Sequence, residues 1–306
     1  MIRYLTHKEI DKEAWDHCVQ QSSNGLIYAR SFYLNAMAQH WDAIVLNDYE
    51  AVMPLTWKKK WGIRYLYQPA FIQQSGVIFK QKPDQSTIID FINEARQRFK
   101  FAEITLNYLN ELTWPDNTVQ LTQRTNYILD LRQSYEQLYD NYDASFCKSL
   151  RRTKKFNMLY LDSTNFQKII ELYQYLYGKR LPYISKKSYT QFEVICKKLA
   201  RENKVIVRHA RNSENKLLAS VVLLKDEKRL YNMISCITND GKRVEANYFL
   251  YDRIIHEFAG SSLVFDFEGS DVEGIASFYR KFNPLSQEYP YLKFNHLPSL
   301  IKLFKR

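Results

Sequence analysis

LVFDFEGSDVEGIASFYRKF, residues Leu263 to Phe282, is the stretch on which the reading of the whole chain turns. Side chains alternate across a pleat, so a strand here puts Leu263, Phe265 and Phe267 on one face and Val264, Asp266 and Glu268 on the other. Two carboxylates then share one side of an otherwise apolar strand. Gly269 follows at once and lets the backbone turn without a Cβ penalty. Ser270 and Glu273 have capping-box spacing, which predicts a helix from Asp271. The free N–H groups and positive dipole end of that helix face the turn. Acids at a strand end, a close-approach glycine and a helix N-terminus make a candidate site. On the same residues, Asp266 and Glu268 also fit a structural role as hydrogen-bonded carboxylates.

The chain around this stretch has room for two domains in its 306 residues. A hydrophobic content of 45% and an aromatic content of 15% exclude a disordered chain. Glycine and proline number only 8 each, which predicts short or polar loops. The four cysteines, Cys18, Cys147, Cys196 and Cys236, form no C-x-x-C pair, which argues against a zinc site and a disulfide framework. Cys18 and Cys196 fall on apolar helical faces and are expected as buried thiols in a reducing cytoplasm. No apolar segment follows Arg3, so no secretory leader is expected, and the longest apolar run, Leu217 to Leu224, is too short to cross a bilayer. The expectation is a soluble cytoplasmic protein. Its net charge of +11 favours an anionic partner: a nucleotide, acyl-CoA, tRNA or a membrane surface.

Periodicity places the remaining elements. Residues 2–6 read as a strand, and Ile10, Ala14, Trp15, Cys18 and Val19 repeat at helical spacing. Ser31 is placed to cap a second helix carrying Leu34, Met37, Ala38 and Trp41. Ala43 to Leu46 and Ala51 to Trp57 read as strands around the Asn47-Asp48 turn, with Gly62 to Tyr67 as a third. An uncharged polar loop, residues 68–76, precedes a helix through Ile88, Phe91, Ile92, Ala95 and Phe99, and then strands Ala102 to Leu106 and Asn126 to Leu131. Ser134 to Lys155 reads as one helix with Tyr135, Leu138, Tyr139, Tyr142 and Phe146 on one side. It ends in Lys148, Arg151, Arg152, Lys154 and Lys155, either a solvated helix end or an anion site. After it come strand Met158 to Leu161, helices Phe166–Tyr177 and Ser188–Glu202, and strands Lys204–Ala210, Leu217–Leu224 and Arg229–Ile237. Asn239-Asp240-Gly241 reads as a turn, the next helix carries Ala246, Phe249, Leu250, Ile254 and Phe258, and Gly260 is placed as its C′ residue. A strand around Tyr291–Phe294 follows the opening stretch.

The two halves share one order: two helices, three strands, a helix, a strand. The expected fold class is therefore α/β (α+β): two related domains, 1–132 and 133–306, each a mixed, mostly antiparallel sheet flanked by helices. That order resembles GNAT acyltransferases. ANYFLYDRII followed by LVFDFEGSDVEGIASFYRKF resembles the FemABX-like, tandem-GNAT group, in which a strand ending in D-F-x-G-S is followed by G-x-x-x-F-x-x-x-F. The matching positions are Asp266, Phe267, Gly269, Ser270, Gly274, Phe278 and Phe282. The likeness covers roughly residues 145–295 well and residues 1–130 by topology alone. It implies transfer of an acyl or aminoacyl group to an amine, from acyl-CoA or aminoacyl-tRNA, with no tightly bound cofactor. The stretch TNDGKRVEANY lacks the glycine spacing with which CoA-dependent GNAT enzymes hold a pyrophosphate, so either donor stays open.

Amide formation from an activated ester needs a neutral amine, a place for the oxyanion and an acid for the leaving group. Asp266 and Glu268 are candidates to accept the amine proton, and Tyr231, Tyr248 or Tyr279 to donate one. With 23 tyrosines in the chain, any one of them more often serves as core packing. For the donor, Arg151, Arg152, Lys154 and Lys281 can pair with phosphate, and Ser235, Gly269 and Ser270 lie along the strand end and turn. For the acceptor, a small-molecule or peptide amine in a cleft between the halves, the uncharged Gln68, Gln73 and Gln74, with Tyr248, are the candidates. Metal chemistry has no support: His256-Glu257 lacks the second histidine of the zincin motif, and no P-loop, G-x-S-x-G or G-x-G-x-x-G occurs. Two other readings remain, a basic RNA-binding module and a non-catalytic scaffold in which the Asp266 and Glu268 face is buried and fully hydrogen-bonded. For the enzyme, the strands are expected to splay beside Tyr231–Ser235 and Val264–Phe267.

Overall fold

The computed structural model describes residues 1–269 and 272–298. The chain begins β1 (Ile2–Leu5), α1 (Lys12–Gln21), α2 (Ser31–Met37), β2 (His40–Leu46), β3 (Ala51–Lys60), β4 (Ile63–Tyr67), β5 (Ile78–Phe79), α3 (Gln85–Arg98) and β6 (Phe101–Thr105). It continues through β7 (Gln120–Asp130), α4 (Tyr135–Asp140), α5 (Ala144–Thr153), β8 (Leu159–Ser163), α6 (Phe166–Tyr177), α7 (Lys186–Ala200), β9 (Val205–Arg211) and β10 (Leu217–Lys225). Last come β11 (Arg229–Ile237), α8 (Asn239–Arg243), α9 (Ala246–Phe258), β12 (Val264–Asp266), α10 (Glu273–Arg280) and β13 (Leu285–Asn295).

The chain divides into two compact units, one of Met1–Arg124 with the residues from Glu288 onward, the other Thr125–Gln287. The division differs from the expected boundary at residue 132, and strand pairing gives the reason. In the first unit the strand order is β1-β2-β3-β4-β6-β13, with β5 on β3. β4 and β6 run parallel, and β13 closes the far side of β6 antiparallel, with Tyr291 opposite Thr105 and Asn295 opposite Phe101. In the second unit the order is β7-β12-β11-β10-β9-β8. There β11 and β12 run parallel, and β7 closes β12 antiparallel, with Val264 opposite Asp130. Each unit thus repeats one plan: a meander, one parallel crossover and an antiparallel closing strand. The closing strand of each comes from the other half of the sequence.

In the first unit, Ile88, Phe91, Ile92 and Ala95 of α3 bury one helical face against Met53, Leu55, Leu66, Ala102 and Ile104. Asp84 caps that helix by accepting from Thr87 N–H at 3.0 Å. The polar loop 68–76 is held from inside. Gln68 donates to the Ile72 carbonyl at 2.8 Å and accepts from Thr105 N–H at 3.1 Å, and Gln74 accepts from Tyr108 N–H at 2.9 Å. Gly76 has φ +78°, and a Cβ there would run into Asn110 Oδ1, so the chain needs glycine at this point.

In the second unit, α9 packs Leu250, Tyr251, Ile254 and Ile255 against Ala219, Val221, Leu223 and Phe265. Gly260 follows with φ +76°, as a C′ residue does. Several local expectations give way here and in the first unit. Ser134–Lys155 is two helices rather than one: Ser134 and Gln137 form a capping box on α4, and Asp143 starts α5 by accepting from Ser145 N–H. Trp41 belongs to β2, and Ser31 is inside α2 with its hydroxyl on Asp16. Asn239–Arg243 is a short helix capped by Thr238, where a turn was expected. The helix expected from Asp271 begins at Glu273 with Val272 at its N-cap and no side-chain cap, and Ser270 lies outside the described residues. Cys18, Cys196 and Cys236 are buried free thiols.

Asp266 takes the structural one of its two sequence readings. It ends β12, is 1% exposed and accepts three hydrogen bonds. Its carboxylate accepts from Arg229 Nη1 at 2.7 Å, Asn126 Nδ2 at 2.9 Å and Glu268 N–H at 2.9 Å. Glu268 has left the strand, with φ +63°, so the two acids do not share a pleated face. Removing one partner of a buried ion pair strands the other charge, at a cost of about 3–5 kcal/mol. Asp266→Ala is therefore expected to lower unfolding free energy by about that amount in urea titrations. Asp266→Ala combined with Arg229→Met, which removes both charges, should recover a measurable part of the loss.

Candidate active site

β11 and β12 pair from Arg229 opposite Val264 to Tyr231 opposite Asp266, and there the ladder stops. Val264 N–H donates to the Lys228 carbonyl, so a continued parallel ladder would bring Glu268 N–H to Asn232. That amide turns back to the Asp266 carboxylate instead. β11 runs on alone to Ile237, paired with β10 only among the described residues. The strands thus part at this point, but aromatic rings close the gap. Asn232 donates to the Tyr251 hydroxyl at 2.7 Å and the Tyr279 hydroxyl at 3.3 Å, and the Phe267 and Tyr279 rings lie 4.7 Å apart.

The residues expected to react at this point are committed elsewhere. Asp266 is buried, and its carboxylate is already bound by Arg229, Asn126 and the Glu268 amide. Tyr231 is buried and donates to Asp226 at 2.6 Å, beneath the β10–β11 turn. Ser235 hydrogen-bonds Tyr251, and Gly269 sits in the left-handed region with φ +55°. Lys281 donates to the Tyr248 hydroxyl at 3.1 Å, which brings together one expected donor residue and one expected acceptor residue. Arg152 is bound by Glu245, with Nε on Oε2 at 3.1 Å, so it ties α5 to the start of α9. Gln68 and Gln74 belong to the first unit and hold their own loop, and Gln73 accepts from Gln74.

The hollow in this unit lies on the other side of α9. It has a volume of about 660 Å³, and Arg151 and Lys154 stand on its wall. The break at Asn141–Asp143 builds it, because α4 and α5 can then both face α9 as separate short helices. Asn157, with φ +44°, turns the chain away after the last turn of α5. Glu136 and Asp140 come from α4, Arg151 and Lys154 from the end of α5, and Asp252 and Arg253 from α9. Neither Arg151 nor Lys154 makes an ion pair among the described residues. The lining carries both signs of charge, which suits a ligand that does the same.

Asp252 is a buried acid on the lining of this hollow. It is 6% exposed and accepts from the Tyr135 hydroxyl at 2.8 Å. Burial raises its pKa to about 6, against the opposing pull of the Tyr135 hydrogen bond, Arg253 and His256. Tyr142 is buried nearby with its hydroxyl unpartnered, and burial together with the Asp252 charge pushes that hydroxyl up. A carboxylate that titrates near neutrality beside a hollow can take and return a proton. Sequence reasoning missed Asp252 because an acid within ANYFLYDRIIHEF reads as the solvent face of an amphipathic helix. The available signal was its position among Leu250, Tyr251, Ile254 and Ile255, all of which are buried. Among the described residues, no group of three or more His, Cys, Asp or Glu side chains is placed to hold a metal ion. No helix among them is long and apolar enough to cross a membrane.

The pKa of Asp252 has a sign that stability measurements can read. The folded protein holds this proton more tightly than the unfolded chain does, with pKa about 6 against 3.8. The stability from this group is fully present below the unfolded value and is lost as pH rises through the folded one. Asp252→Asn should flatten the stability profile between those two values and leave the variant more stable than wild type above them. The expected difference is on the order of 3 kcal/mol, read by chemical denaturation across the window.

No family model matches the sequence, and no curated protein matches it. Solved structures do match its fold. A structure described as FemX superposes with a TM-score of 0.67 at 11% identity, covering 99% of this chain and 100% of that one. The C-terminal domain of a putative lysylphosphatidylglycerol synthetase from Agrobacterium fabrum gives 0.57 at 14% identity, over 96% and 94%. A GNAT-family acetyltransferase from Colwellia psychrerythraea gives 0.52 at 10% identity, over 96% and 100%. The chain has a FemABX/GNAT-like acyltransferase fold.

Proposed function

From that acyltransferase fold, we propose that the protein is an N-acyltransferase that moves an acyl or aminoacyl group from acyl-CoA or aminoacyl-tRNA to an amine. The observation that carries this reading is the Asp252 hollow: a buried carboxylate with pKa about 6 on the wall of a cavity that also presents Arg151 and Lys154. In the reaction, the amine nitrogen attacks the donor carbonyl, a C–N bond forms and the C–O or C–S bond of the donor breaks. Asp252 accepts the proton that the amine loses, and that proton then passes to the departing oxygen or sulfur. Arg151 and Lys154 pair with donor phosphate, as the basic end of α5 suggested. Glu136 and Asp140 face an ammonium group, whether of an aminoacyl donor or of the acceptor.

A second reading, a non-catalytic scaffold on the same fold, is favoured by the burial of Asp266, whose carboxylate holds three structural contacts. One experiment separates the two. The protein is incubated with a panel of acyl-CoAs and charged tRNAs and with amine acceptors, and amide product is read by mass spectrometry. Wild type should form product, Asp252→Asn should lose about 10²-fold or more in rate, and Arg151→Ala with Lys154→Ala should raise the donor KM about tenfold with kcat little changed. Product formation undiminished in Asp252→Asn would remove Asp252 from the chemistry. No product from any donor would leave the scaffold standing.

A further inference from the structure

The β3–β4 hairpin of the first unit reaches past both of its neighbours in the sheet. β3 pairs with β2 only as far as Trp57, opposite His40, and β4 meets β6 only from Leu66, opposite Ala102. Beyond those points Lys58, Lys59 and Lys60 pair with Tyr65, Arg64 and Ile63 as a two-stranded ribbon, and no third strand joins them among the described residues. The turn at its tip is Trp61-Gly62, with φ of +51° and +78°. Positive φ at both central positions is the type I′ turn, whose usual occupants are Asn-Gly or Asp-Gly. Gly62 meets that requirement. Trp61 does not, because a bulky side chain at positive φ crowds the backbone. The ring gains no burial in exchange: Trp61 is 64% exposed, whereas Trp15 and Trp41 are buried and Trp57 and Trp114 half-buried. Backbone and solvation both disfavour this residue here, and an external apolar surface relieves the second cost.

The ribbon is also cationic. From Ala51 to Phe79 the chain holds Lys58, Lys59, Lys60 and Arg64 and no acid. Arg64 lies back over Trp57 and Phe99, 5.5 and 5.4 Å from the ring centres, and so serves the root of the ribbon. The lysines lie toward the tip. Lys59 and Lys60 are exposed, Lys60 Nζ stands 4.6 Å from the centre of the Trp61 ring, and Lys58 Nζ stands 4.1 Å from that of Tyr67. The acids of the flanking strands are engaged: Asp42 on β2 accepts from the Tyr4 hydroxyl at 2.6 Å and His7 N–H at 2.9 Å, and Glu103 on β6 pairs with Lys293 at 3.1 Å. The tip thus joins an amphipathic ring to positive charge on a convex surface.

A flat anionic partner fits that shape. Single-stranded nucleic acid needs instead a groove that follows its backbone and successive rings to stack on, and this tip offers one exposed ring with Tyr65 and Tyr67 half-buried behind it. Tryptophan favours the boundary between lipid headgroups and hydrocarbon, and the long stem of lysine lets its ammonium stay among the headgroups. We infer that the β3–β4 hairpin docks this protein on an anionic phospholipid surface, with Trp61 entering the headgroup layer and Lys58, Lys59 and Lys60 pairing with lipid phosphates. Three lysines and one ring make the attachment weak and reversible, dependent on lipid charge and on salt.

The hairpin contains none of the residues assigned to acyl transfer, so the inference stands or falls apart from that reading. The full chain is sedimented with vesicles of phosphatidylcholine, with and without phosphatidylglycerol. Binding is expected to the mixed vesicles alone, and phosphatidylglycerol with brominated acyl chains should quench tryptophan fluorescence. Trp61→Asn is the decisive variant, because asparagine suits the turn. It should unfold at the same or a higher urea concentration than wild type, yet bind mixed vesicles about tenfold more weakly and lose the quenching. Lys58→Gln, Lys59→Gln and Lys60→Gln together should weaken binding about a hundredfold. Equal binding to neutral vesicles would overturn the inference, as would wild-type binding and quenching in Trp61→Asn. So would tighter binding through Trp61 to a single-stranded RNA oligonucleotide than to the mixed vesicles, which would assign the tip to nucleic acid.

Discussion

The second unit depends on one buried ion pair. Asp266 on β12 holds Arg229 on β11 and Asn126 on β7, so one carboxylate clasps three adjacent strands. It also takes the amide of Glu268, which turns the chain out of the sheet and ends the parallel ladder. Everything after that point follows from the turn. β11 continues alone, the rings of Phe267 and Tyr279 close over Asn232, and α10 packs Ala276 and Tyr279 into the same core, with Phe282 just past its end. Such a pair contributes little net stability over an apolar replacement, because both charges lose their water. What it does impose is register and direction, since no other arrangement satisfies both charges.

Two buried aspartates in one unit thus have opposite characters. Asp266 has a guanidinium, an amide side chain and a backbone N–H around it, and it is spent on architecture. Asp252 has a tyrosine hydroxyl as its hydrogen-bond donor and a cavity beside it, and burial raises its pKa to about 6. Both side chains are buried, and the number of donors around each sets them apart.

The contrast explains which parts of the structure were legible in the sequence. Helices α1, α3, α6 and α9 and strands β2, β3, β10 and β11 follow from periodicity, because a half-buried element writes its period into the chain. The duplicated order of elements follows from those local signals. The break at Asn141–Asp143 does not, because Tyr135, Leu138, Tyr142 and Phe146 keep helical spacing across it, and the break lives in the capping contact of Asp143. The role of Asp266 was hidden for a different reason. Its partners Arg229 and Asn126 lie 37 and 140 residues away in the chain, beyond any window a local pattern can span.

The exchange of closing strands also orders events at the ribosome. β6 is made early, yet the strand that covers its outer edge is β13. Until the residues around Tyr291–Asn295 emerge, the first unit presents a bare row of backbone donors and acceptors, the kind of edge that invites pairing with another chain. The second unit has no such wait, because β7 precedes every other strand of its sheet. The usual vectorial sequence, amino-terminal domain first, is inverted, and the later-made unit is the first to hold a full set of strands.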